Sequence, residues 1–161
     1  MSTEHIVQSY DTELEKLTNT ILQMGGLVER QITATVAAIT NRDSAAAEKI
    51  IANDQEIDDL EISVERQVVK MLALRQPMAD DLRAVISALR ISSDLERMGD
   101  LAANIAKRTI ALASLEQFPT LPGLRSMALA VQEMMKDSLD AYVDNDYEKA
   151  MKTWHDDQRV D

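Results

Sequence analysis

Apolar residues recur along the opening of the chain at steps of three and four: Leu14, Leu17, Ile21, Met24, Val28, Ile32, Val36 and Ile39. That period predicts an amphipathic helix over about residues 5–40, one side turned to a core. "NRD" follows, and Asp43 suits the N-cap of a second helix over 44–75. There Ile50, Ile57, Val64 and Met71 sit seven apart, the spacing of a packed bundle seam. "RQPMADD" interrupts the pattern. Pro77 suits the first turn of a new helix, and Asp80 and Asp81 suit its positive end. The third helix is expected over about 78–113. "LEQFPTLPG" is the Pro/Gly-rich stretch and reads as a linker. A fourth helix over about 121–143 is broken by "DND", and a fifth is expected over about 146–161. Short turns between long helices imply antiparallel neighbours, so the expected fold is all-α.

The pattern also repeats. Residues 24–58 align without gaps on 127–161, an offset of 103, with nine identities in 35 positions. They include Asp43/Asp146, Ala47/Ala150, Asp54/Asp157 and Asp58/Asp161. Amphipathic helices match by chance, but an ungapped register across both turns favours a true repeat. On that reading, residues 1–117 form one three-helix bundle and residues 118–161 are part of a second, incomplete one.

Composition narrows the chemistry. Hydrophobic residues make up 45% of the 161, aromatics only 3%, and there is no cysteine. Long helices fit this profile, while disulfides, zinc–thiolate sites and thiol catalysis are excluded. The net charge of −11 argues against a nucleic-acid binder. No apolar run reaches the roughly 20 residues that span a bilayer. The N-terminus lacks the pattern of a signal peptide, and a cytoplasmic location is expected.

The acids are not scattered evenly. In the third helix Leu82, Val85, Ile86 and Leu89 make the apolar stripe, and Glu96 and Asp100 fall roughly 20° to either side of Leu89. The second helix has its own pair, Asp54 and Asp58, one turn apart. Folding the two helices as a hairpin about Pro77 brings the pairs level, since Asp58 and Glu96 each lie 19 residues from Pro77, and Asp54 and Asp100 each lie 23. The same count about Arg42 brings Glu29 and Gly25–Gly26 of the first helix alongside. Four clustered anions need compensation. Arg30, Arg66, Arg90 and Arg97 could supply it as an ion-pair network. A cation is the alternative, and an all-oxygen set favours hard ions such as Mg²⁺, Mn²⁺, Ca²⁺ or ferric iron over zinc.

"QEIDDLE", "RQPMADDLR" and "SSDLERMGDLAANIA" together resemble the PhoU family of phosphate-signalling regulators, over about residues 10–161. The resemblance implies tandem three-helix bundles that bind metal ions (iron, Mg, Mn or Zn) through E/D-x-x-x-D motifs. The matching positions are Asp54, Asp58, Glu96 and Asp100, with Asp157 and Asp161 in the second repeat. Glu61, Asp94 and Asn104 flank these motifs and, with Glu29, are weaker metal candidates. The counterpart of "DLERMGD" in the second repeat would fall beyond residue 161. The resemblance further implies a non-enzymatic adaptor that negatively regulates phosphate uptake and starvation signalling. Its partners would be the phosphate ABC transporter ATPase and the sensor histidine kinase, with only peripheral contact with membrane complexes.

Two other classes compete. A carboxylate-ligated metalloenzyme of the di-iron type needs Glu-x-x-His pairs, and neither His5 nor His155 follows a Glu at that spacing. A phosphotransfer bundle needs a surface histidine, but His155 aligns with Ala52 in the repeat. The apolar positions Leu124, Met127, Val131, Met134, Met135, Leu139, Met151, Trp154 and Val160 form a face that a sixth helix would cover, so a homo-oligomer formed through the fourth and fifth helices, or else poor order of those two helices, is expected.

Overall fold

The computed structural model describes residues 3–115 and 122–156. They form five helices: α1 (Thr3–Asn41), α2 (Ser44–Arg75), α3 (Asp80–Ala113), α4 (Leu124–Asp144) and α5 (Tyr147–Asp156). No strand occurs among the described residues, and none of their helices is long and apolar enough to cross a membrane. The last residues of the expected fifth helix, Asp157 and Asp161 included, lie outside the described residues.

The repeat is visible as geometry. At the first turn Arg42 takes a left-handed φ of 54°, and the Asp43 amide donates to the Ala38 carbonyl at 2.9 Å. The Asp43 carboxylate then accepts from the Ala46 amide at 2.9 Å, capping α2 as expected. At the second turn Asn145 has φ 52°, the Asp146 amide donates to Ala141 at 2.9 Å, and the Asp146 carboxylate caps α5 through the Lys149 amide at 3.0 Å. Each pair of equivalents is 103 residues apart. Ala38 and Ala141 are both buried.

The second connection differs from expectation. Pro77 is not in the first turn of α3, which begins at Asp80. The chain reverses through two residues of positive φ, Gln76 at 47° in the left-handed conformation and Ala79 at 53° outside it. Pro77 lies between them, and Ala79, with φ 53° and ψ −115°, is outside helical space, so the helix begins only after it.

α1, α2 and α3 pack on one another along alternating steps of three and four, the period of a bundle seam. On α3 the buried line runs Val85, Ala88, Ser92, Leu95, Gly99, Ala102, Ala106 and Thr109. Glu96 and Asp100 therefore flank the core instead of entering it, and small residues let α3 lie close to its neighbours. On α2 the line runs Ala47, Ile50, Ile57, Val64, Val68 and Met71. Its missing steps fall at Asp54 and Glu61. On α1 it begins as expected through Leu17, Ile21, Met24 and Val28, then departs from Ile32 and Val36 to follow Gln31, Thr35 and Ala38. Both continuations keep the helical step. The small residues of α3 accept the polar one, and Ile32 and Val36 turn toward α4, where they line an apolar crevice with Leu124, Met127 and Val131.

α4 packs against α1. Met135 and Leu139 join the same core cluster as Leu17, Met24 and Val85. Leu139 seats directly on Gly25, where a Cβ would collide with its Cδ1. Gln132 Nε2 donates to the Glu29 carbonyl at 2.9 Å and to Thr33 Oγ1 at 2.8 Å. The α4–α5 face expected to be bare is thus partly covered by α1, while Met127 and Trp154 remain 51% and 68% exposed. Ion pairs hold the ends. Arg75 forks onto Glu13 at 3.0 and 3.2 Å and reaches Ser9, and Lys149 joins Asp140 at 2.9 Å and Asp137 at 3.4 Å.

Candidate carboxylate site between α2 and α3

The hairpin register places the acids as the count about Pro77 required. Gly99, beside Asp100, lies against Asp54. A Cβ built on Gly99 would stand 3.1 Å from Asp54 Oδ1 and 2.9 Å from Ile57 Cδ1. Glycine is needed here for close approach, not for an unusual backbone angle. Asp54, Asp58 and Glu96 are half-buried, and Asp100 is exposed at the rim.

The electrostatics show that the four share one field. Burial, followed by the charges of Asp54, Asp100 and Asp59, pushes the Asp58 carboxyl above its ordinary value. Burial and then Asp100, Glu61, Asp58 and Asp54 do the same to Glu96. Among the described residues no Lys or Arg comes within ion-pair distance of these acids. The ion-pair network that Arg30, Arg66, Arg90 and Arg97 could have supplied is therefore not formed among the described residues. Arg66, Arg90 and Arg97 sit on the solvent side of their helices, and Arg30 is likewise exposed.

Carboxylate oxygens alone, on facing helices, are the donor type that hard cations take. Their convergence is incomplete here, because among the described residues no three such groups close on a point that could hold an ion. Glu61 belongs to the cluster through its effect on Glu96. Asp94 and Asn104 are exposed, and neither is among the residues acting on Asp58 or Glu96. Glu29 is a correction. It is exposed on the side of α1 where Gln132 of α4 binds its carbonyl, and Gly25 of the same helix serves α4 and not the acids.

The residue that α1 does bring is Gln31, which sequence reasoning missed. It is 7% exposed, and its Nε2 donates to Asp54 Oδ1 at 2.9 Å and to the Gly99 carbonyl at 3.2 Å. The register about the first turn was right, but the face was wrong: Gln31 is two residues, about 200°, from Glu29. One signal could have found it. Gln31 on α1 and Asp54 on α2 both interrupt a mostly apolar line of threes and fours, and they do so at the same level.

Residues 21–109 and 124–161 match the model of the PhoU domain. The chain is 42% identical over 160 residues to the phosphate-specific transport system accessory protein PhoU homolog of Caulobacter vibrioides, covering 99% of this chain and 70% of that one. It is 42% identical over 157 residues to the homolog from Xylella fastidiosa, covering 98% and 66%. Among solved structures, the crystal structure of PhoU from Pseudomonas aeruginosa matches with a TM-score of 0.87 at 36% identity, over 94% of this chain and 73% of that one. The phosphate transport system regulatory protein PhoU from Streptococcus pneumoniae matches at 0.85 and 33%, over 93% and 70%.

Proposed function

Because the chain belongs to the PhoU family, we propose that it is a non-catalytic accessory regulator of phosphate transport that acts in the cytoplasm. It restrains high-affinity uptake and starvation signalling through contacts with the transporter ATPase and the sensor histidine kinase. The observation that carries this reading is the match of most of the chain, in two blocks, to one family whose named members are accessory and regulatory proteins. The long helical faces serve the contacts, and the α2–α3 acids serve a cation. Asp54, Asp58, Glu96 and Asp100 would hold it, with Glu61 alongside. The cation, when bound, supplies the positive charge that the seam lacks and ties α2 to α3. Mn²⁺, Mg²⁺ or ferric iron suits the oxygen set better than zinc.

The test is co-purification with the ATPase subunit and with the cytoplasmic region of the kinase. Capture of either supports the adaptor. Failure to bind both, together with reproducible turnover of a phosphorylated substrate, would overturn it. Light scattering tests self-association through the exposed Met127 and Trp154 of α4 and α5, where a monomer at all concentrations would refute it.

A further inference from the structure

α1 and α4 cross at equivalent residues. Gln132 of α4 donates to the carbonyl of Glu29 of α1, and the two are 103 residues apart, which is the repeat offset. To one side of that crossing Gly25 meets Leu139. The equivalents of this pair, Ala128 and Val36, line one crevice on the other side. The two helices run antiparallel, so a local two-fold axis beside Glu29 and Gln132 exchanges the repeats. α5 obeys it. Ala34, Ile50 and Asn53 line a cleft between α1 and α2, and their equivalents Asp137, Thr153 and Asp156 line one between α4 and α5.

α3 breaks the symmetry. The two-fold carries Leu124, Met127 and Val131 of the crevice onto Ile21, Met24 and Val28, and it carries Ile32 and Val36 onto Met135 and Leu139. Those five counterparts are buried, and Val85, Ala88 and Leu95 of α3 share their cluster. No described helix stands to α4 as α3 stands to α1. The crevice is open, with Met127 51% and Leu101 of α3 56% exposed. Its walls continue the α1–α4 contact and are apolar except for Thr35, whose hydroxyl is spent on the Ala102 carbonyl. An extended segment would bury amides against walls with no partner to offer, so a helix, which pairs its own, is the form that fits. Charge then chooses among helices. The chain carries −11, so a second copy meets repulsion, while a helix balanced like α3, with five acids and five bases, does not.

We infer that the crevice between α1, α3 and α4 is a docking site for one amphipathic helix of another polypeptide. Its apolar line is spaced like Val85, Ala88, Ser92 and Leu95, and it sits on Met127 and Val131 as α3 sits on Met24 and Val28. Such a ligand is held by anchors one turn apart in a groove. Because the walls come from both repeats, the docked helix ties them together. The inference stands apart from the metal reading.

The probe is a dye-labelled peptide with the sequence of α3, residues 80–113, titrated into the 161-residue chain by fluorescence anisotropy. One-to-one binding is expected. Met127→Glu should weaken it about tenfold or more by placing a charge on an apolar wall, and Leu101→Glu on the opposite wall should do the same. Leu129→Glu is the control, since Leu129 is 58% exposed on α4 but outside the crevice, and it should leave binding unchanged. A peptide with Val85→Asp and Leu95→Asp should not bind. No binding by the wild type overturns the inference. So does binding that both wall variants leave intact, because the peptide is then replacing α3 in its own bundle. A dimer that Met127→Glu dissolves, with no peptide bound, gives the crevice to a second copy and overturns it too.

Discussion

Acids at the middle of the α2–α3 seam and acids at the ends of the helices live in opposite surroundings. Glu13 is met by the Arg75 guanidinium, and that hydrogen bond draws its carboxyl below the ordinary value despite partial burial. Asp140 is drawn down in the same way by Lys149. Asp58 and Glu96 are pushed up, by burial first and then by other acids. The two regions use the same side chains on the same kind of helix. What differs is whether a base shares the face. With 28 acids against 17 bases, some acids must lack a partner, and here the shortage is concentrated at one level of one helix pair. Solvent could have diluted that repulsion had the acids been spread out. Gathering them makes a local field that an added cation can relieve.

The largest test of this contrast is steric. Gly99→Val places methyl groups into Ile57 and Asp54 and should cost about 1–3 kcal/mol in urea unfolding, as overpacking does. Gly26→Ala is the counterpart away from the seam. Its Cβ meets only Arg30 Nη1 at 3.6 Å, so the gain in helix propensity should stabilise the protein by up to about 1 kcal/mol. Destabilisation of similar size by both would mean that the seam is no tighter than the rest of the helix.

Within the seam, the four acids should divide. Asp54→Leu removes a charge from a repelling cluster yet should destabilise by about 1–3 kcal/mol, because a buried Gln31 proton loses its acceptor. Asp58→Asn and Glu96→Gln leave no such orphan. In metal-free protein each should raise the melting temperature slightly, by less than about 1 kcal/mol equivalent, since both side chains are partly solvated. Arg75→Met should lower it, because Glu13 and Ser9 lose their partner. A rise for Asp54→Leu, or a fall for the other two acids, would contradict the division.

The smallest effect is with pH. Asp58 and Glu96 bind protons more tightly folded than unfolded. Their contribution is therefore fully present below the ordinary carboxylate range and is lost as pH rises through their raised folded values. Glu13 and Asp140 have the reverse sign, and their contribution is lost only as pH falls through their lowered values. Metal-free protein should gain a little stability on acidification from neutrality to about pH 5, then lose it as the ion pairs are protonated. A loss that begins at neutrality would place the raised acids elsewhere. Mn²⁺ should flatten the gain by favouring the ionised acids.

The helices, their turns and the acid register were set by local rules that act along the chain. Steps of three and four mark a buried stripe, Asp43 and Asp146 cap because a short carboxylate reaches the first free amides, and equal counts from a turn bring antiparallel residues level whatever surrounds them. Those rules placed α2 at 44–75, the repeat at an offset of 103, and Asp54, Asp58, Glu96 and Asp100 on facing helices. Which of two equally periodic lines on α1 enters the core was not a local question. Ile32 and Val36 are the more apolar choice, yet Gln31 and Thr35 are buried, because small Gly99 and Ala102 on α3 leave room and acceptors for them and α4 takes the isoleucine and valine. The same contact decided that Gly25 makes way for Leu139, that Glu29 faces α4, and that a neutral amide is what α1 brings to the acids. A residue's side of a helix follows from its own sequence only to within the width of the apolar stripe, about 100°. The neighbour packed against it decides the rest.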